Sequence, residues 1–159
     1  MPRKVTKKLQ RDINPDRKYD SVLVQRLINK SMLDGKKLAA ERSVYAALET
    51  AAKKLDSEDP LVVFEKALKN VSPNFEVKSR RVGGANYQIP FPVQGHRQLH
   101  YAFTWLVQAA RARGGMPYAQ RLALEIVDAY NEAGAAFKKK EDTHKMAEAN
   151  RAFAHFARG

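Results

Sequence analysis

The stretch FEVKSRRVGGANYQIPFPV, residues 75–93, has a different periodicity from the rest of the chain. Its apolar side chains recur at every second position, namely Phe75 and Val77 before a glycine pair and Tyr87, Ile89, Phe91 and Val93 after it. A period of two predicts strands, and Gly83 with Gly84 tolerates the positive φ of a tight turn. Pro90 and Pro92 leave one edge without donors. These features predict a two-stranded hairpin at about 75–93 with a free edge.

Helical periodicity surrounds this hairpin on both sides. Asp59 and Pro60 form a strong start signal, with a capping carboxylate and a proline in the first turn. Glu141 and Asp142 favour the N-terminal end of the last helix, directly after a run of lysines. The pattern predicts about six helices, at residues 20 or 21 to about 33, 36 to 54, 60 to 72, 97 to 113, 117 to 134 and 141 to 156. The expected fold is mainly α, a single domain over 20–159 with one protruding β-hairpin.

The charge of the chain is its most unusual property. Its 159 residues carry 29 Lys and Arg against 17 Asp and Glu, for a formal net charge of +12. Such a domain repels itself, so an acidic partner is expected. Nucleic acid is the first candidate, and an anionic membrane surface or an acidic protein is the second.

Residues 1–19 lack any periodicity and are predicted to form a flexible basic arm. The arm has no apolar core region, so it does not resemble a secretory signal. The most apolar stretch, residues 101–110, is too short to span a bilayer. The absence of cysteine excludes disulfides and thiolate zinc sites. A cytoplasmic protein is therefore predicted.

No catalytic constellation can be found in the sequence. His96 and His100 are spaced i, i+4, but nothing near them supplies a convincing third metal ligand. They are interpreted as surface or capping histidines. Asp34 to Lys37 lacks the upstream glycine and strand of a phosphate-binding loop. We therefore predict no catalytic residue, metal or cofactor.

Basic residues, by contrast, occur in clusters at loops and helix ends. Any one cluster has a plain interpretation as a solvated face, whereas five together favour a phosphate-binding surface. The clusters are the arm with Arg3, Lys4, Lys7, Lys8, Arg11, Arg17 and Lys18; Lys36 with Lys37; Lys78, Arg80 and Arg81 on the hairpin; Arg111 with Arg113; and Lys138, Lys139, Lys140 and Lys145.

The hairpin is interpreted as a reaching device. Its tip, Val82-Gly83-Gly84-Ala85, has so little side chain that backbone amides can approach a nucleic-acid strand. Arg80 and Arg81 can contact phosphate or stack on a base. Tyr87 could also stack on a base, or could pack at the hairpin base onto the helices. Cations at element ends favour folded RNA over the DNA major groove.

Three stretches resemble a known family. They are FEVKSRRVGGANYQ at 75–88, DGKK at 34–37 and KKKEDTHKMAEANRAFAH at 138–155. All three resemble the bacterial form of the small-ribosomal-subunit protein numbered seven, and the resemblance runs in order along essentially the whole chain.

This resemblance implies a helical protein with one hairpin that binds the 3′ major domain of small-subunit ribosomal RNA and nucleates head assembly. It implies a position near the exit-site transfer RNA and the messenger exit path, with the hairpin close to the ribosomal protein numbered eleven. The motif match implies RNA or hairpin roles for residues of the last four clusters and for His144. The segment 94–98 is less basic than the family pattern, and Arg97 is its one candidate for RNA contact. Two other classes stay open, namely a stand-alone DNA-binding or nucleoid protein and an RNA-modifying enzyme.

Overall fold

The computed structural model describes residues 12–158. The predicted arm residues Arg3, Lys4, Lys7, Lys8 and Arg11 lie outside this range. Within it, six α-helices, one hairpin and a 3₁₀ segment follow one another: α1 (Val22–Ser31), α2 (Lys37–Lys54), α3 (Pro60–Val71), β1 (Phe75–Val82), β2 (Ala85–Pro92), α4 (His96–Ala112), α5 (Tyr118–Tyr130), α6 (Gly134–Ala149) and the C-terminal 3₁₀ segment (Arg151–Arg158). The mainly α fold with one hairpin is confirmed.

Helix α5 lies at the centre of the core, where it packs against α2, α3, α4 and α6. Its Leu122 and Ile126 are completely buried, as are Leu48 of α2, Phe64 of α3 and Leu106 of α4. These residues all belong to the apolar faces that helical spacing predicts. Burial of a large aliphatic or aromatic side chain contributes roughly 1.5–3 kcal/mol, so this shared core holds the helices in fixed relative positions.

Two predicted helix starts are confirmed by their caps. Ser21 Oγ accepts a hydrogen bond from the backbone N–H of Val24 at 3.5 Å. The Asp59 carboxylate accepts one from Leu61 at 2.8 Å, and Pro60 begins α3. Each side chain satisfies a donor that the first turn leaves unpaired.

The predicted start of the last helix is wrong. Helix α5 ends at Tyr130 and α6 begins at Gly134, so Lys138 to Lys140 lie inside α6 rather than before it. The backbone N–H of Ala136 donates to the Glu125 carboxylate at 2.8 Å. This start is therefore stabilised by a side chain of the preceding helix, which no local capping pattern reveals. The helix also ends earlier than predicted, at Ala149.

The hairpin has the predicted form. Its base is more buried than the polar and charged residues of the hairpin suggest. Its strands are antiparallel, with Val82 opposite Ala85 across Gly83 and Gly84, whose φ values are +58° and +88°. Ile89 is completely buried. Strand β1 contacts α6, and β2 contacts the C-terminal 3₁₀ segment. The base of the hairpin is thus fixed on the helical block.

The last part of the predicted arm is attached to the helices. Asp16 is buried, and its carboxylate accepts hydrogen bonds from the backbone N–H groups of Lys18, Tyr19 and Ser21 and from the Tyr45 hydroxyl, all within 3.0 Å. Burial alone would raise the pKa of Asp16, but these four donors outweigh it and lower the pKa. Asp16 therefore joins the chain before α1 to α2.

Candidate nucleic-acid interface

Three adjoining grooves cross the face of the molecule that α1 and the start of α4 form. The first, about 530 Å³, lies between the chain before α1 and the start of α2. The second, about 320 Å³, lies between α1 and α4 and shares Ile13 and Asn29 with the first. The third, about 610 Å³, is bordered by α1, α3, α4 and α6 and shares Leu99 with the second. We call the three together the cationic groove.

Basic side chains are found along the whole cationic groove. Six Lys or Arg residues line it, against three carboxylates, those of Asp12, Glu41 and Glu65. The six are Arg17 and Lys37 in the first groove, Arg26 and Lys30 in the second, and Lys69 and Lys140 in the third. The fold thus joins Arg17 and Lys37 of two predicted clusters to Lys140 of another, through cations of α1 and α3 that no predicted cluster contains.

Three of these cations, Arg26, Lys30 and Lys69, belong to none of the predicted clusters. Arg26 and Lys30 are spaced i, i+4 on α1, which places them on one helix face. That spacing is the signal that could have identified them. Lys69 belongs to no predicted cluster, and only the packing of α3 against α4 and α6 brings it to the groove.

Two predicted RNA-binding residues pair with a carboxylate at the base of the hairpin. Glu76 is buried and contacts Lys78 Nζ at 2.7 Å, Arg97 Nε at 2.5 Å and the Tyr101 hydroxyl at 2.6 Å. Burial alone would raise the pKa of Glu76, but the hydrogen bonds from Lys78, Tyr101 and Arg97 outweigh it and lower the pKa. Both cations stay about half exposed, so each has donors left for phosphate.

The outer part of the hairpin is exposed, and the C-terminal 3₁₀ segment covers one of its faces. Arg80 Nη1 donates to the backbone carbonyl of Phe156 at 2.9 Å. The Tyr87 ring lies 5.0 Å from that of Phe153 and 5.4 Å from that of Phe156, between ring centroids. Tyr87 therefore packs against protein, onto this segment instead of the helices. Arg81 and the tip residues Gly83, Gly84 and Ala85 are exposed, while Val82 is partly covered.

The cluster at the end of α4 is largely engaged within the protein. Arg113 Nη2 contacts Glu125 Oε2 at 2.6 Å and also pairs with Asp128. Arg111 is exposed and donates one hydrogen bond of 3.3 Å to the carbonyl of Ser31. The structure thus gives Arg113 a structural role that accounts for its position, and leaves Arg111 accessible.

The basic residues of α6 divide in the same way. Lys138, Lys139 and Lys145 are exposed, as is Lys36 before α2, whereas Lys140 Nζ donates to the Asn70 carbonyl at 2.7 Å. The His144 Nε2 atom accepts the backbone N–H of Asn74 at 3.0 Å. Burial lowers the pKa of His144, and the charge of Lys140 lowers it further. His144 is thus held as the neutral acceptor that fixes the start of the hairpin on α6.

Residues 12–158 contain no group of three or more His, Asp or Glu side chains that could hold a metal ion. None of the helices in that range is long and apolar enough to cross a membrane. What the described surface offers is an extended, shallow array of cations on a rigid helical support, which suits binding to an irregular polyanion.

The chain is similar to known proteins along nearly its whole length. The model of a family described as ribosomal protein S7p/S5e matches residues 2–151. The small ribosomal subunit protein uS7 of Dictyoglomus thermophilum is 58% identical over 146 residues, covering 92% of this chain and 93% of the relative. That of Chloroflexus aggregans is 56% identical, covering 94% of each. That of Thermomicrobium roseum is 54% identical, covering 98% of this chain and 99% of the relative.

Proposed function

The chain belongs to the ribosomal protein S7p/S5e family, and from that membership we propose that it binds the 3′ major domain of small-subunit ribosomal RNA directly and nucleates assembly of the subunit head. It is a structural constituent of the small ribosomal subunit in the cytoplasm, and it is not an enzyme. Its partners are ribosomal RNA and other ribosomal proteins.

The observation that carries the proposal is the cationic groove. It joins cations from α1, α2, α3 and α6 on one support, and the shared core fixes their spacing. RNA folded so that its phosphates match this spacing binds better than RNA folded otherwise. Protein binding therefore shifts the RNA population toward the matching fold, which is how a protein with no catalytic group can direct assembly.

The hairpin supports the finer part of the proposal. Its exposed tip of small residues extends beyond the base that Glu76 and His144 attach to the helices. In the proposal, this tip lies near the exit-site transfer RNA and the messenger exit path, beside the ribosomal protein numbered eleven. Crosslinking from Gly84→Cys in assembled subunits tests this placement, and crosslinks confined to other regions of the subunit would contradict it.

The RNA-binding part is tested by a salt titration with a matched pair of variants. Lys30 and Lys69 line the groove in the last turns of α1 and α3, while Lys53 and Lys54 occupy the last turn of α2 outside it. Lys30→Gln/Lys69→Gln and Lys53→Gln/Lys54→Gln therefore change net charge equally at equivalent helical positions. Affinity for a 3′ major domain RNA is measured by filter binding at several salt concentrations.

The native protein should show a log–log slope of about −0.7 to −0.9 per neutralised phosphate. The groove variant should lose about 1.4 to 1.8 from that slope if each lysine neutralises one phosphate, while the α2 variant should keep it. Equal losses in the two variants would show that net charge alone governs binding. Equal affinity for duplex DNA would favour the nucleoid protein instead.

A further inference from the structure

The middle section of the cationic groove is a pocket with an apolar floor and a basic rim. Leu99 and Phe103 of α4 supply the floor, and Phe103 is also part of the hydrophobic core. Arg26, Lys30, His96 and His100 supply the rim. The pocket encloses about 320 Å³, which is at the low end of the roughly 300–1,000 Å³ typical of small-ligand sites.

The rim selects for an anion. Every titratable side chain that lines this pocket is basic, unlike those of the two adjoining grooves, where carboxylates are also present. Arg26 Nη2 lies 3.4 Å from His96 Nδ1, which brings α1 and α4 together across the pocket. The Nε donor of Arg26 is buried and has no acceptor within the described residues. A buried donor without an acceptor is unfavourable, so an anion that draws the Arg26 side chain toward the pocket would relieve this cost.

The apolar floor favours a ligand with a flat, apolar face. Phe103 lies with its ring centroid 6.4 Å from that of Phe64 in the core, so its position is fixed. Aromatic and apolar side chains beneath a positively charged rim are what unstacked bases of RNA require. An apolar floor, a basic rim and a small volume together match one nucleotide. They do not match a duplex segment, which is too wide, or a peptide, which would need a longer cleft.

We propose that this pocket receives a single unstacked nucleotide of the bound RNA, with its base against Leu99 and Phe103 and its phosphate beside Arg26 and Lys30. The proposal rests on the proposed function, since it assigns one nucleotide of the RNA to one section of the groove. It goes further in predicting that a free mononucleotide binds here without the remainder of the RNA.

The four histidines provide a built-in test. His96 and His100 line the pocket, whereas His144 contacts Asn74 and His155 belongs to the C-terminal 3₁₀ segment. Imidazole resonances of the full chain are followed by NMR during titration with a 5′-nucleoside monophosphate, with the corresponding nucleoside and with inorganic phosphate. We expect the monophosphate to shift His96 and His100 saturably, to leave His144 and His155 in place, and to bind more tightly than either fragment.

Two outcomes of this titration would overturn the proposal. Phosphate alone could shift the same two resonances with the affinity of the monophosphate, which would make the pocket a simple anion site. Alternatively, the monophosphate could shift all four histidines equally or none of them at millimolar concentration, which would show that the pocket does not select a nucleotide.

A matched pair of variants extends the test to RNA. His100→Glu and His155→Glu make the same charge change at exposed positions, inside and outside the pocket. A carboxylate in the pocket should repel the nucleotide's phosphate and so prevent its base from packing on the pocket floor. We therefore expect RNA binding to weaken about tenfold or more in His100→Glu, with little change in His155→Glu. Equal RNA affinity of these two variants would contradict the pocket while leaving the proposed function intact. If the native chain showed no salt-dependent affinity for this RNA, the proposed function itself would be contradicted.

Discussion

Arg113 donates two hydrogen bonds to one oxygen of Glu125, from Nε at 2.9 Å and from Nη2 at 2.6 Å. Glu125 is completely buried, and its other oxygen accepts the backbone N–H of Ala136 at 2.8 Å. One carboxylate thus joins the end of α4 to α5 and to the start of α6. Arg113, which its sequence context assigns to RNA binding, therefore has a structural role, because through Glu125 it connects three helices.

The first prediction concerns this tie. Arg113→Gln should lower the free energy of unfolding by about 3–5 kcal/mol, because it leaves a buried carboxylate without its cation. Guanidinium denaturation followed by circular dichroism measures the change. Arg111→Gln, at an exposed position two residues earlier, is the control and should have a far smaller effect. A stable Arg113→Gln protein with weakened RNA affinity would instead place Arg113 at the interface.

The second prediction concerns Gly134, which begins α6. A Cβ there would lie 2.8 Å from the Cβ of Asp128 and 3.0 Å from Oε1 of Glu125, at a φ of +86°. Gly134→Ala should therefore combine roughly 1–2 kcal/mol of left-handed backbone strain with about 1–3 kcal/mol of overpacking. Gly83→Ala has a φ of +58° and nothing within 4 Å, so it should show the strain alone. Equal losses of stability in the two variants would rule out the steric part.

The third prediction is a pH dependence from Glu76. Hydrogen bonds from its partners place its pKa in the folded protein below the ordinary value of 4.5. The unfolded chain therefore takes up this proton first as the pH falls, so the stability that the carboxylate contributes is present at neutral pH and is lost below about pH 4.5.

Glu76→Gln should accordingly destabilise the protein at pH 7, and the difference in unfolding free energy from the native chain should shrink as the pH falls through that window. Asp16, whose pKa is also lowered, is present in both proteins and cancels in the comparison. Denaturant titrations between pH 3.5 and pH 7 measure the difference. A difference that is constant across this range would show that the charge of Glu76 contributes nothing.

The fourth prediction concerns the cover on the hairpin. Tyr87→Ala should loosen the contact with Phe153 and Phe156 and speed amide hydrogen exchange in β2 and in the C-terminal 3₁₀ segment, because local opening becomes easier when apolar contacts are lost. Gln88→Ala is the control, since this exposed neighbour lies on the opposite face of the strand. If exchange in the 3₁₀ segment stays unchanged in Tyr87→Ala, the aromatic contact does not hold the segment.

Local patterns were sufficient for most of the architecture. The period of two at 75–93 predicted both strands and the glycine turn. The start signals at Asp20 or Ser21 and at Asp59 predicted two helix starts. Helical periodicity also predicted α5, whose Leu122 and Ile126 are completely buried. These predictions succeed because backbone geometry sets the periodicity and the capping chemistry, and both involve residues within one turn of each other.

Patterns that depend on distant partners were not predictable in this way. The start of α6 is stabilised by Glu125, which belongs to another helix. Arg113 was grouped with Arg111 because they are neighbours in sequence, although only Arg113 faces two carboxylates of α5. Lys69 belongs to no predicted cluster, and it reaches the groove because α3 packs against α4 and α6. Proximity in sequence is a poor guide to proximity of charge when several helices share one core.

The sequence by itself determined the helices, the hairpin, the excess of positive charge and the resemblance to a ribosomal family, because each is written in spacing, composition or motif. Only the tertiary structure decided which cations are free to meet RNA. The packing of α1, α3, α4, α5 and α6 determines whether a given cation lines the groove or pairs with a buried carboxylate.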